Sequence, residues 1–370
     1  MATIVTEQDE MVHNGEELPI LSASAKRMKI DKLLATPLPT YDGSVPGSYL
    51  WTKLAFWMIR RVSSVQFRTS STTTAARLST GGAGAMCCGW HTNGLMDPLG
   101  IFLNHPKEFV VGARHDLVTR PLLGWWTRRL AVQPVVRKAE LLRGGCTEEE
   151  AAQLNGRSLL ALSSGIAHGF GCVLFPEGTS HSQSHMIRFK TGPVRTLLAA
   201  AALAKANDLP LPHLVPVGLH YRRREHFRTD KFVEFGEPIE LDEASIPTEM
   251  VDAVGRGGWV EPPQATVHRV RDQLQAHLPA LTPNTSTWEE HRALHLMAHA
   301  KARDSGTRLK SWQDEVLAAR EVRRAWPNRV ASFPPDPLEG GSLRSASEAA
   351  ELLEAQGLSL IHISEPTRLT

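Results

Sequence analysis

No stretch of about eighteen apolar residues, the least a membrane-spanning helix needs, occurs in the chain, so no spanning helix is expected. Cysteine is scarce. Cys87, Cys88, Cys146 and Cys172 are the whole set, and their number and spacing fit neither a disulfide framework nor a zinc site. His181 and His185 stand four apart in a polar segment; such a lone pair is more often loop, and no metal is expected. Neither sign of charge prevails: 41 Lys and Arg against 39 Asp and Glu leave +2. A broad electrostatic footprint for nucleic acid is therefore missing. The N-terminal residues hold several acids and no apolar core, unlike a signal peptide. Internal repeats and a Gly-x-Ser-x-Gly elbow are also absent.

What is present reads as an ordinary globular protein, 42% hydrophobic and 22% charged over 370 residues, long enough for one large domain with additions. Residues 1–40 are polar and broken by prolines, and are expected to be a disordered tail. Val132–Val136, Gly171–Phe175, Leu214–Leu219 and Phe232–Phe235 read as strands; 147–165 and 191–206 read as helices. That alternation predicts an α/β fold, a mixed sheet flanked by helices. Thr69–Gly84, rich in Ser, Thr, Ala and Gly, reads as a loop. Past Leu241 the pattern turns helical: a capping box at Ser286–Glu289 predicts a helix to about Arg303, and Ser311–Asp314 another to about Arg324. Residues 242–357 are thus expected to form a mostly helical C-terminal extension.

Two short segments carry chemistry. His91-Thr92-Asn93-Gly94-Leu95-Met96-Asp97-Pro98 sets an imidazole six positions from a carboxylate. A neutral imidazole can take a proton from an alcohol near pH 7. A carboxylate on its other nitrogen fixes the tautomer and stabilises the imidazolium. Helix neighbours lie three or four apart, so His91 and Asp97 meet only if the chain bends, and Asn93-Gly94 supplies a turn. Asp97-Pro98 also reads as a helix start with Asp97 as N-cap, and a plain cap is its alternative role. The second segment, Phe175-Pro176-Glu177-Gly178-Thr179-Ser180-His181-Ser182, ends an apolar run with an acid, a glycine and hydroxyls.

In this order, with roughly eighty residues between them, the two motifs resemble the glycerolipid acyltransferases, which acylate glycerol-3-phosphate and lysophosphatidate. The resemblance runs from about Ser48 to Leu241 and implies an acyltransferase domain at 48–241. Pro134-Val135-Val136-Arg137 is similar to the block that helps hold the acceptor, and Phe189-Lys190-Thr191-Gly192, Leu214–Leu219 and Phe232–Ile239 to later family blocks. Five residues rather than the commoner four separate His91 from Asp97. Ser180-His181 stands where many members have Arg after Glu-Gly-Thr, and Trp90 where Asn usually precedes the His. The first two departures resemble the branch acting on glycerol-3-phosphate or dihydroxyacetone phosphate.

The resemblance implies an O-acyltransferase of phospholipid biosynthesis that takes acyl-CoA or acyl carrier protein as co-substrate and needs no cofactor. His91 is then the general base and Asp97 orients it. Glu177, Gly178, Thr179, Ser180 and His181 shape the acceptor site, Glu177 orienting a donor or the acceptor's hydroxyl, and Arg137 and Lys190 hold the phosphate. For Lys190 and Arg188 a solvated surface is the alternative. The preferred acceptor is glycerol-3-phosphate; the alternatives are 1-acylglycerol-3-phosphate as acceptor, a hydrolase using Ser180 or Ser182 as nucleophile, or an inactive lipid-binding protein.

The segment Ser48–Arg61, aromatic and ending in arginines, suits a helix lying on a bilayer surface or one packed on the core, and Trp125-Trp126 suits the acyl path or lipid. Tyr221–Arg228 is a basic run fitting phosphates or plain solvent. Membrane association, peripheral for this chain, is the expected location, with no nucleic-acid partner. Residues 358–370 resemble the translation of a transposase sequencing adapter, a tail expected to be foreign to the native protein, whose true C-terminus is then lost; the branch named above often carries membrane segments after its catalytic domain, and their loss by truncation is the alternative to a chain without a spanning helix.

Overall fold

The computed structural model describes residues 28–42, 44–73, 82–136, 146–258, 260–325 and 335–358, with the backbone of 11–13 and 16–18. Six strands form one mixed sheet: β1 (Phe67–Thr73), β2 (Ala85–Gly89), β3 (Phe109–Val110), β4 (Gly171–Val173), β5 (His213–Tyr221) and β6 (Thr229–Phe235). Their spatial order is β1-β6-β5-β2-β4-β3. Only β5 and β6 run antiparallel; the other neighbours are parallel. The architecture is the expected α/β one, a mixed sheet flanked by helices.

Every residue of β2 is buried, as a central strand covered on both faces requires. Alternation divides its side chains. Met86 and Cys88 face a core built with helices α4 (Glu148–Ala167) and α5 (Gly192–Ala206). Ala85 and Cys87 face Ile101 of α2 (Met96–Asn104) on the other side. Helix α4 starts at a capping box: Thr147 Oγ1 accepts from Glu150 N at 3.1 Å, and Glu150 returns the bond to Thr147 N at 2.9 Å.

Two expectations need correction. The segment read as a loop contains an edge strand, since β1 pairs with β6 from Phe67 onward. Its Ser/Thr side chains are mostly exposed, so the strand lacks the alternating apolar signal by which strands are recognised. The N-terminal 1–40 is not wholly disordered either: Ile30–Leu34 is helical and Leu33 is fully buried against Val118, Val132 and Leu154. Arg157 and Gln133 donate to the carbonyls of Thr36 (2.6 Å) and Pro37 (2.9 Å), fixing that stretch.

Beyond the sheet, α6 (Thr248–Gly255) and α7 (Gln264–His277) add to the α5 side, followed by α8 (Trp288–Asp304), α9 (Trp312–Arg323) and α10 (Gly341–Ala355). The cap of α8 sits one residue later than expected: Thr287 accepts from Glu290 N, while Ser286 Oγ donates to the Glu290 carboxylate at 2.7 Å. Helix α9 begins at the expected Ser311, in a capping box with Asp314. Helix α1 (Tyr49–Gln66) precedes β1, and α3 (Pro121–Arg129) lies beside it.

Candidate active site

Strands β2 and β4 are parallel neighbours, with Ala85 opposite Gly171 and Cys87 opposite Val173. The two motifs follow the carboxyl ends of these strands, so the topology delivers both to one edge of the sheet, where open α/β sheets place their sites. Seventy-odd residues of intervening chain are closed by pairing alone.

His91 sits on the loop between β2 and α2, half-buried, with its ring stacked on Phe175 at 3.9 Å and 11°. Its Nδ1 is 2.9 Å from Asp97 Oδ2. Gly94, at φ +41°, makes the bend that the sequence called for. Asp97 is not the N-cap: it lies inside the first turn of α2, whose cap is Leu95. Its fully buried carboxylate turns back on the loop, where Oδ2 accepts from Thr92 N (2.8 Å) and Asn93 N (2.7 Å). Oδ1 accepts from the hydroxyl of Tyr221 at 2.7 Å. With an ionised Asp97 as acceptor, His91 carries its proton on Nδ1 and presents the Nε2 lone pair outward.

The second motif clamps the first. Glu177, fully buried, accepts from His91 N at 2.9 Å, from Ile187 N at 3.0 Å and lies 2.8 Å from His181 Nε2. His181 N in turn donates to His91 O at 3.1 Å. Glu177 has three protein donors and no exposed edge, so it positions His91 and His181, in keeping with its expected role of orienting a donor. His181 has Nε2 on Glu177 and Nδ1 accepting from Gln183 N at 3.2 Å, so its ring has no nitrogen left for a phosphate.

The remaining residues of the motif face outward. Gly178, at φ +70°, forms a turn over which Lys190 lies: a Cβ added there would stand 3.1 Å from Lys190 Nζ. The Lys190 side chain is exposed, and among the described residues no acid pairs with it; Ser180 and Arg188 are exposed too. Thr179 is half-buried, its hydroxyl 3.4 Å from Ser180 O. Arg137 lies outside the described residues.

Residues not foreseen at the site also converge there. Arg224 donates to His181 O at 3.0 Å. Trp90 packs beside Trp288 of α8, 6.0 Å between rings, and beside His181 at 6.4 Å. The indole of Trp288 donates to Ser182 O at 2.7 Å, and Ser184 Oγ donates to Thr285 O at 2.8 Å while Thr285 N returns to Ser184 O. Trp90 thus fills the joint between the motif loop and the C-terminal helices. Of the basic run, Arg222 is committed to Asp230 (2.8 Å) and Glu315 (2.8 Å), while Arg223 and Arg228 are exposed. Burial pushes the Cys172 thiol up to about 12, so it offers no thiolate.

Residues 64–219 match the family model Acyltransferase. The chain is similar to glycerol-3-phosphate O-acyltransferase 2 of Saccharomyces cerevisiae, 29% identical over 153 residues, 40% of this chain and 19% of that protein. It is also similar to glycerol-3-phosphate O-acyltransferase 1 of the same yeast, 30% identical over 124 residues, 34% of this chain and 15% of the relative. The chain thus spans about a fifth or less of the length of these relatives. The crystal structure of the 1-acyl-sn-glycerophosphate (LPA) acyltransferase PlsC from Thermotoga maritima aligns at a TM-score of 0.37 and 15% identity, over 59% of this chain and 79% of that one. Residues 64–219 thus resemble an acyltransferase domain, and the relatives to which the chain is similar include glycerol-3-phosphate O-acyltransferases.

Proposed function

We propose that this chain moves a fatty acyl group from acyl-CoA, or acyl carrier protein, to a hydroxyl of glycerol-3-phosphate. The observation that carries the reading is the His91–Asp97 pair at 2.9 Å, with the His91 backbone held on both sides by the second motif. His91 Nε2 takes the proton of the acceptor hydroxyl as its oxygen attacks the thioester carbonyl. The tetrahedral intermediate collapses, the C–S bond breaks, and the imidazolium returns the proton to the thiolate. No covalent acyl-enzyme and no cofactor enter. Lys190, exposed beside the Gly178 turn, binds the acceptor's phosphate, joined by Arg137 on the strength of its family block; Thr179 and Ser180 supply hydroxyls near it. Among the described residues no serine hydroxyl bonds to a histidine ring, which speaks against a serine hydrolase. 1-Acylglycerol-3-phosphate is the second acceptor to weigh, since it carries the same phosphate.

Residues 48–241 act as the catalytic unit and 242–357 as helices docked on it. The chain works at a membrane surface, which it meets through the exposed apolar side chains of α1 and α3. The deciding experiment is thiol release from palmitoyl-CoA by the purified protein with glycerol-3-phosphate, dihydroxyacetone phosphate, lysophosphatidate or no acceptor. Release that requires glycerol-3-phosphate and vanishes in His91→Ala is expected, a fall of about a thousandfold or more for loss of a catalytic base. Release without any acceptor, or activity that survives His91→Ala, overturns the reading.

A further inference from the structure

Among the described residues Asp97 is held by four donors, and one comes from far away in the chain. Thr92, Asn93 and His91 all converge on Oδ2. Oδ1 is met by Tyr221, 124 residues on, at 2.7 Å. The carboxylate is fully buried, and among the described residues no arginine or lysine pairs with it. Its charge is balanced by hydrogen bonds alone, so each donor matters to its orientation and to its basicity.

Tyr221 is built to stay where it is. It is the last residue of β5, paired across the sheet with Lys231 of β6. Its ring stacks on Phe67 at 5.7 Å and 24°. The next residue, Arg222, is pinned by Asp230 and by Glu315 of α9, so the strand end is anchored from two elements. Burial first, and Asp97 second, push the phenol well above its ordinary value; it therefore remains a donor and never competes with His91 as a base.

We propose that Tyr221 is a positioning residue of the acyl-transfer site: its hydroxyl fixes the rotation of Asp97 so that Oδ2 faces His91, and it sets the basicity of the His91 imidazole through that carboxylate. The inference rests on the function proposed above for its kinetic consequences only. The positive end of the O–H dipole draws charge from Asp97 and lowers the affinity of His91 for its proton. Removing it does the reverse and frees the carboxylate to rotate. The other charged or titratable groups around the pair are Glu177 and His181 on the second motif, Lys190 over Gly178, Arg224 on the β5–β6 turn, and Lys231, whose ammonium lies 4.4 Å from the Phe67 ring centre. None of these is altered by the substitutions below.

The test is the ¹⁵N titration of the His91 ring, with kcat and KM against pH, in the unmutated protein, in Tyr221→Phe, and in protein whose tyrosines are replaced by 3-fluorotyrosine. The chain has only three tyrosines, and fluorination keeps the ring while strengthening the donor. In Tyr221→Phe the His91 titration and the acid limb of kcat move together to higher pH. There kcat falls about tenfold, as for loss of a hydrogen bond to a charged group, with both KM values within about twofold of the parent. In the fluorinated protein the titration moves to lower pH, and this arm decides the matter if Tyr221→Phe does not fold. A His91 titration unmoved in a folded variant overturns the proposal. If the parent protein proves inactive with every acceptor, the function falls, while the direction of the titration shifts still decides whether Tyr221 acts on His91.

Discussion

Glu177 shows how much of a site one buried side chain can organise. Its two oxygens serve three donors: His91 N, Ile187 N and the ring of His181. Glutamine in its place offers a single acceptor oxygen and an NH2 group that must face one of those donors. A buried donor left unmatched costs about 1–3 kcal/mol. Glu177→Gln is therefore expected to lower Tm by several degrees and kcat by about tenfold to a hundredfold, with the acceptor KM changed little, since both carboxylate oxygens are taken by protein donors. Steady-state kinetics with calorimetry check this; a rise in acceptor KM at constant kcat contradicts it. The identity of the key pair was legible in the chain, because Asn93-Gly94 announces a bend and a base needs an acid nearby. The role of Asp97 was only half legible. An Asp followed by Pro reads as a cap, whereas the carboxylate turns back on the N–H groups of Thr92 and Asn93. The role of Glu177 was legible in outline, as an acid that orients a donor; those of His181 and Tyr221 were not, for they depend on strand ends that pairing brings together across long stretches of sequence.

Among the elements, helix α1 buries only Thr52 and Ala55. Leu50, Leu54, Trp57, Met58, Val62 and Val65 are all exposed, and they recur at three- and four-residue intervals along one face. Trp51 meets Trp125 of α3 edge-on at 4.9 Å, and Leu122 and Leu123 of α3 are exposed beside it. Arg61 lies over Trp57 at 5.6 Å and Arg129 over Trp125 at 3.8 Å, the interleaving of cation and ring suited to an anionic lipid surface. Of the two readings open from the sequence, the bilayer surface is the one this exposure favours. Leu50→Glu with Trp57→Glu is expected to cut co-sedimentation with phosphatidylglycerol-containing vesicles by about tenfold or more, from about 1.5–3 kcal/mol per large side chain withdrawn from lipid. Tm should stay within a degree or two, because both side chains already stand largely in water. Undiminished vesicle binding contradicts a docking role for α1. The helix itself was readable from its aromatic, arginine-ended segment. Strand β1, which follows it without a break, was not, since exposed Ser and Thr on a sheet edge are held by Arg68 and Thr69 bonding Asp230 across to β6, a contact that no local pattern records.

At the scale of the molecule, the C-terminal helices and the sheet are joined by buried charge and histidine. The helices could be foreseen from caps such as Ser311 with Asp314, but not their docking, which joins residues about a hundred positions apart. Arg320 of α9 grips Glu234 of β6 at 2.8 Å, and Arg222 links Asp230 to Glu315. Burial alone would raise both β6 carboxyls. The bonds from Arg68, Thr69 and Arg222 outweigh it for Asp230, and those from Arg320 and His220 for Glu234, holding each at about 2. A carboxylate depressed in the fold stabilises it above its unfolded value, near 4, and that contribution is lost as pH falls towards 2. The histidines act earlier. Burial pushes His105 down to about 4, and pushes His220 and His295, the latter stacked on Trp312 at 5.0 Å, below the ordinary value. The unfolded chain takes up their protons below about pH 6.5 while the folded chain refuses them, so stability falls with pH over that range, by about 2 kcal/mol at pH 5 for a histidine that stays neutral there. Calorimetry at pH 7, 6 and 5 is therefore expected to show Tm dropping by several degrees, with His295→Gln reducing the slope and Arg320→Met lowering Tm while also reducing the slope, since the Arg320 charge helps keep His220 neutral beside Glu234. A Tm as high at pH 5 as at pH 7 would mean that the buried histidines are charged in the fold, and that the seam between helices and sheet is held by different forces from those its geometry implies.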